Sequence, residues 1–267
     1  MIVVTGATGN VGQPLVAALI AAGEQVTAVS RGMATNDVPA GVRTRQADLA
    51  EPATLAPALD GADALFLLTV PGGDVLEVAR AAGVRRVVLL SSQGVGTGRH
   101  PADSETAVKE SGLAWTVLRP GGFDTNTLRW AGSVRAGRQL AAPFGDVALP
   151  TIDPLDIAEV AAIALRETAH AGATYTLTGP APISPRQQAE AIGQAIGESV
   201  RFVEQTRAQA RQQLLAFMPA PLAERTLDIL GSPTAAEQRV SPDVQRLLGR
   251  PARTFAEWAT RNAAVFK

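Results

Sequence analysis

The sequence predicts an α/β protein built on a doubly wound parallel sheet, with a smaller C-terminal α/β lobe. Three observations carry this. Short β-branched or leucine-rich runs alternate with longer helical patterns from Met1 to about Pro120. A glycine-rich stretch stands between the first such run and the first helical pattern. Beyond Pro120 the rhythm weakens, and glycine, proline and aromatic residues gather.

The runs at 2–4, 25–30, 42–47, 64–68, 86–90 and 115–118 read as strands. They are short and apolar without side alternation, the pattern of strands covered by helices on both faces. The first helix is bounded by Pro14 in its opening turn and Gly23 just past its end, and Val11, Leu15 and Leu19 form its apolar stripe. Right-handed crossovers then place successive helices on opposite faces. After residue 120, the segments Gly121-Gly122-Phe123, Trp130 and Pro143-Phe144-Gly145 suit a substrate region. Ser184 to Gln187 and Thr254 to Glu257 fit capping boxes, with Pro185 at the first helical position, and 200–203 is a further strand candidate. No repeat or low-complexity linker divides the chain. Residues 1–120 are therefore expected as a ligand-binding core, and 121–267 as a lobe partly packed on the same sheet in one continuous unit.

Composition narrows the function. The 267 residues are 46% hydrophobic and 18% charged, enough apolar surface for a large core and too much for a disordered chain. Without cysteine there is no disulfide, thiolate metal cage or catalytic thiol. A net charge of −1 offers neither counterion release on nucleic acid nor attraction to anionic membranes. The N-terminus shows no signal-peptide pattern, and no apolar run approaches the ~18 residues of a membrane span. The expectation is a cytoplasmic protein with a small-molecule partner, and with neither nucleic acid nor membrane. Oligomeric state has no signature. His100 and His170 lack ligand spacing with other metal-binding residues, so no metal is expected.

The most informative residues are Thr5-Gly6-Ala7-Thr8-Gly9-Asn10-Val11-Gly12. Between a strand and a helix, Gly6 permits a tight turn, Gly9 close backbone approach and Gly12 close packing of helix on strand. Amide groups of the loop and the helix N-terminus then face the pyrophosphate of a dinucleotide, with Thr8, Asn10 and Val11 among the cofactor-binding residues. An ordinary glycine turn is the competing explanation. After the second strand stands Ser30-Arg31, with no carboxylate for the ribose hydroxyls of NAD. Arg31, supported by the Ser30 hydroxyl, has the planar fork for a 2′-phosphate, which favours NADP(H) over NAD(H). A solvated surface arginine is the alternative. Asp48 is placed for the adenine amino group and Leu49 for its ring, against the alternative of a helix cap. Leu68, Thr69, Val70 and Pro71 end the fourth strand and should line the cofactor, as should Ser91 after the fifth. Ser92 is a candidate donor to a developing oxyanion, His100 a candidate proton donor, and Gln93 a substrate contact. Helix capping and a solvated loop histidine compete with these roles. Phe123, Trp130, Phe217 and Met218 are candidates for an apolar substrate slot, with the hydrophobic core as the alternative for each.

With Asp48-Leu49, Ser91-Ser92, Glu105, Ser111-Gly112-Leu113, the run Trp115-Thr-Val-Leu-Arg-Pro120, Asn126, Asp156-Ile157-Ala158 and Tyr175-Thr-Leu-Thr-Gly179, the glycine loop resembles the atypical short-chain dehydrogenase/reductase superfamily, in its NmrA-like NAD(P)-binding branch. The resemblance spans nearly the whole chain. It implies a Rossmann domain, a bound dinucleotide and a C-terminal lobe closing a cleft. Among its members are NADPH-dependent quinone reductases, tailoring enzymes of aromatic natural products and redox-sensing regulators.

One departure bears on mechanism. The superfamily's catalytic tyrosine and the lysine four residues later fall, in this register, on Thr97 and Pro101. The sole tyrosine is Tyr175, and apart from Lys267 the sole lysine is Lys109, placed as a surface charge. Hydride delivery to an aliphatic ketone makes a strongly basic alkoxide that needs a positioned acid, whereas a quinone gives a phenolate-type anion of conjugate-acid pKa ~10. The sequence therefore points to an NADPH-dependent oxidoreductase acting by hydride transfer on a quinone or extended aromatic ketone without the tyrosine–lysine pair. A tailoring reductase or oxygenase of an aromatic natural product stays open, as does a non-catalytic NADP-binding sensor.

Overall fold

The computed structural model describes residues 1–32, 38–39, 41–68 and 74–267. Its strands are β1 Ile2–Thr5, β2 Val26–Ser30, β3 Arg43–Gln46, β4 Ala64–Leu68, β5 Arg86–Leu90, β6 Ala114–Pro120, β7 Gln139–Pro143, β8 Ala173–Leu177 and β9 Arg201–Gln205. Seven of them form one parallel sheet in the order β3-β2-β1-β4-β5-β6-β8. Val3 of β1 is registered with Thr27 of β2 on one side and Leu65 of β4 on the other. The order reverses between β1 and β4, and the crevice that opens at such a switch point is where doubly wound sheets bind ligands.

Alternate residues of the central strands point to opposite faces. Val4, Phe66 and Val88 pack under the helices Gly12–Ala21 and Pro154–Arg166, against Leu15, Leu19, Ile157 and Ala161. Val3, Leu65 and Val87 pack on the other face, against Val75, Ala79 and Val108 of the helices Asp74–Ala81 and Asp103–Glu110. Each fully buried leucine or phenylalanine there contributes roughly 1.5–3 kcal/mol. The expected boundaries of β4 and β5 coincide with the observed ones. β3 differs: Arg43, Arg45 and Gln46 are exposed, because this is an edge strand, where charge discourages further pairing. β8, absent from the expected strands, closes the other edge. There the Thr176 amide donates to Asp243 Oδ2 at 2.8 Å.

In the C-terminal part, β7 and β9 pair in parallel. Helices Ala131–Gly137, Pro185–Ile196 and Phe255–Arg261 enclose Leu140, Ile192 and Trp258 beside them. The capping boxes at Ser184 and Thr254 form, as do two more at Thr206 and Thr234. The helix Pro154–Arg166 crosses back to the main sheet. Its buried Asp156 accepts from Arg250 Nη2 at 2.8 Å and the Arg253 amide at 2.7 Å, tying the C-terminal segment to the sheet. Among the described residues no helix is long and apolar enough to cross a membrane.

Candidate active site and coenzyme cleft

A cavity of about 640 Å³ opens at the carboxyl ends of β1, β2 and β4. Its floor is the glycine loop. Gly6 has φ +62°, and a methyl group on Gly12 would lie 2.0 Å from the Gly6 carbonyl oxygen, so neither position tolerates a side chain without movement. The Gly9 amide donates to the Gly6 oxygen at 2.9 Å. Thr5 Oγ1 donates to the Phe66 carbonyl at 2.8 Å and pins the loop to β4. No side chain caps the first helix at Val11, which leaves its N-terminal field directed into the cavity. Thr8, Asn10 and Val11 complete this wall. The cradle fits a pyrophosphate: backbone donors, two positions, Gly6 and Gly12, where a side chain would force movement, and volume for a dinucleotide.

Arg31 and Ser30 line the far end. Arg31 is exposed and makes no ion pair among the described residues, whereas the Ser30 hydroxyl donates to the Gly32 carbonyl at 3.0 Å, so its proton serves the turn. Asp48 and Leu49 also line the cavity, and one Asp48 oxygen accepts from the Ala50 amide at 2.9 Å, so the carboxylate does cap a turn. Leu68 forms the wall against Gly6. Thr69, Val70 and Pro71 lie outside the described residues. Ser91 stands apart from the cavity lining. Its buried hydroxyl donates to Glu105 Oε1 at 2.7 Å, and Arg119 clasps the same carboxylate at 2.8 and 2.6 Å. Burial opposes ionisation of Glu105, but the Arg119 guanidinium and Ser91 outweigh it and hold the pKa down to about 2. The role of Ser91 is corrected accordingly: this cluster is a structural clasp between β5, β6 and the helix Asp103–Glu110.

A second cleft, of about 300 Å³, meets the first at Phe123, which lines both. Ser92, Gln93, Gly94 and His100 form one wall, Trp130 and Arg129 another, and Thr226, Ile229 and Leu230 of the helix Ala220–Gly231 face them. Ser92 Oγ lies 3.0 Å from His100 Nδ1. The turn that makes this contact closes on Gly94, whose carbonyl accepts from the amides of Arg99 and His100 at 2.8 and 3.0 Å. The imidazole packs so closely that a methyl on Gly94 would lie 2.6 Å from Nδ1. Burial, and then the positive charge of Arg225, push the His100 pKa down and favour the neutral ring, against a smaller opposing pull from Glu237. The Gln93 amide is held loosely by the carbonyls of Ala236 and Glu237, at 3.4 and 3.5 Å.

Phe217 and Met218, expected in the slot, do not line it. Phe217 is 64% exposed, and Met218 packs with Phe144 on Leu214 and Leu227. They precede the helix Ala220–Gly231, which turns other side chains toward the cleft. Trp130 serves both as cleft wall and as core. Thr97, in the tyrosine position, donates to Glu237 Oε1 at 3.1 Å. Tyr175 lies on β8, its hydroxyl 2.9 Å from His170 Nδ1, and Lys109 pairs with Glu105 at 3.3 Å. Sequence reasoning missed Gly94 and Arg129. A basic residue next to Trp130 in a largely uncharged, aromatic-bearing stretch was the available signal for the latter.

Residues 6–168 match the family described as NAD(P)H-binding. Over its full length the chain is 38% identical to the (4-alkanoyl-5-oxo-2,5-dihydrofuran-3-yl)methyl phosphate reductase of Streptomyces griseus, of which 99% is covered. It is 36% identical to the NAD(P)H azoreductase of Xenophilus azovorans, again over all of this chain and 99% of the relative. The crystal structure of the NADPH-dependent quinone oxidoreductase QOR2 of Escherichia coli, complexed with NADPH, is similar with a TM-score of 0.81 and 27% identity, covering 98% of this chain and 99% of that one.

Proposed function

The chain belongs to the NAD(P)H-binding family and is an NAD(P)H-dependent oxidoreductase of the NmrA-like, atypical short-chain branch, and we propose that it reduces a quinone or another extended conjugated carbonyl compound, with NADPH preferred over NADH. The observation that carries this reading is the Ser92–His100 contact of 3.0 Å in a largely apolar cleft that joins the coenzyme cavity at Phe123. The acceptors in the names of the relatives, a quinone, an azo compound and an oxo-dihydrofuran, share conjugation that spreads incoming negative charge.

When bound, the dihydronicotinamide supplies a hydride. Gly6, Gly9 and Gly12 hold the pyrophosphate, Arg31 the 2′-phosphate, and Asp48 with Leu49 the adenine. Phe123 and Trp130 hold the acceptor ring and exclude water. With its proton on Nδ1, His100 donates to Ser92 Oγ and fixes its rotamer, which leaves the Ser92 proton to be donated to the oxygen that gains charge. A phenolate-type product then takes its proton from solvent, a step undemanding enough to proceed without tyrosine and lysine.

The test is NADPH absorbance against a panel of quinones, azo dyes and polycyclic ketones. Acceptor-dependent oxidation is expected, and Ser92→Ala should lower kcat about tenfold or more. Coenzyme binding with no oxidation across the panel would instead indicate a cofactor sensor. Arg31→Ala should bring the NADPH and NADH affinities together, and an unchanged ratio would remove Arg31 from coenzyme selection.

A further inference from the structure

The acceptor cleft contains one fixed charge. Among its described lining residues none is a carboxylate, and Arg129 is the single arginine or lysine. The guanidinium lies over the Trp130 ring, 5.1 Å from its centroid, and makes no ion pair with any described residue. Arg129 is exposed, and three arginines more buried than it are neutralised: Arg99 by Glu237, Arg119 by Glu105, Arg253 by Asp156 and Glu159. Arg129 keeps part of its surface in solvent, while the atoms packed around its guanidinium push its pKa down with no acidic neighbour to oppose them. Arg225, on the helix that walls the cleft, adds a second positive charge felt at His100. The nearby carboxylate of Glu237 is already occupied by Arg99 at 2.9 Å and Thr97 at 3.1 Å.

A guanidinium that lines an apolar cleft, open to solvent and without a counter-charge, is available to an anion entering that cleft. Its fork of N–H donors matches a planar or tetrahedral oxyanion. We propose that Arg129 recognises an anionic substituent, a phosphate monoester, sulfonate or carboxylate, on the acceptor, so that the preferred substrates are conjugated ring compounds carrying one oxyanion arm. The inference rests on the reading of this cleft as the acceptor site. The arm is held by Arg129 and drawn in by Arg225, and the ring lies among the apolar side chains between Trp130 and Phe123.

Two measurements test it, each on wild type, Arg129→Gln and Arg129→Lys, with folding checked by circular dichroism. In turnover with NADPH, naphthoquinone is compared with the naphthoquinone sulfonated on its benzenoid ring. Wild type should favour the sulfonate by about tenfold or more in kcat/KM, mainly through KM and less so in high salt. Arg129→Gln should bring the ratio near unity, and Arg129→Lys should restore part of it. In binding to the NADP⁺-loaded protein, naphthalenesulfonate is compared with neutral naphthalenesulfonamide by calorimetry, with the same expected ordering. Equal treatment of charged and neutral partners by wild type, or a ratio unmoved in Arg129→Gln, would overturn the proposal while leaving quinone reduction intact. Arg129-dependent binding of the sulfonate without turnover of either quinone would uphold it and overturn the quinone reading.

Discussion

Gly12 sits where a methyl group would meet the Gly6 carbonyl oxygen at 2.0 Å and the Ala7 Cα at 2.7 Å, both backbone atoms with no freedom to turn aside. Gly12→Ala must therefore displace the helix start from the loop. The expected outcome is a folded protein whose NADPH affinity, read by titration, falls by about tenfold or more. At the other end of the site, Gly94→Ala would put a methyl 2.6 Å from His100 Nδ1 and push the ring off Ser92. Its turnover should drop in parallel with that of His100→Asn. Combining Ser92→Ala with His100→Asn should cost little more than Ser92→Ala alone, because the two residues act as one unit; additive losses would show that His100 works independently. At this scale the glycine loop was legible because its chemistry is local, each glycine answering to a neighbour a few residues away. Ser92 and His100 were both visible as types, but their contact depends on the turn at Gly94. Phe217 and Met218 were misplaced because aromatic or thioether character does not say which way a side chain faces, and Arg129 was missed because its lack of a counter-charge exists only in three dimensions.

Among the elements, β1, β2, β4, β5 and β6 were readable because buried parallel strands must be apolar on both faces. β7 and β8 were not, since Gln139–Pro143 and Ala173–Leu177 acquire their pairing from partners distant in sequence. The Ser91–Glu105–Arg119 clasp shows the same limit, because the partner of the Ser91 hydroxyl, Glu105, stands on another element. Glu105 is 2% exposed, so removal of its partner leaves a buried charge only partly met by Ser91 and Lys109. Arg119→Met should destabilise the fold by about 3 kcal/mol, read as a lower urea midpoint at unchanged slope. A midpoint equal to wild type would mean that Arg119 contributes nothing to anchoring β6.

For the whole molecule, two buried carboxyls set opposite pH slopes. Glu105 has its pKa lowered from 4.5 to about 2, so its contribution, about 3 kcal/mol, is complete above pH 4.5 and is lost as pH falls toward 2. Asp124 behaves in reverse. It is fully buried, neither oxygen forms a hydrogen bond of ordinary geometry, and desolvation foremost raises its pKa from 3.8 to about 7. The folded state holds this proton where the unfolded chain releases it, so the contribution is full below pH 3.8, declines as pH rises, and is gone above about 7. Asp124→Asn should therefore raise Tm relative to wild type at about pH 8, with the difference shrinking or reversing near pH 4. A constant offset across that range would mean that Asp124 does not titrate with folding.

The seven-stranded sheet also ends deliberately on both flanks. At one side β3 turns Arg43 and Arg45 outward, and at the other the Asp243 carboxylate occupies the Thr176 amide. A visiting chain thus meets like-charge crowding on one flank and an already engaged donor on the other. Fibrillar self-association by edge-to-edge growth is discouraged without any need for a closed barrel, and loss of the Asp243 plug is where such growth would begin.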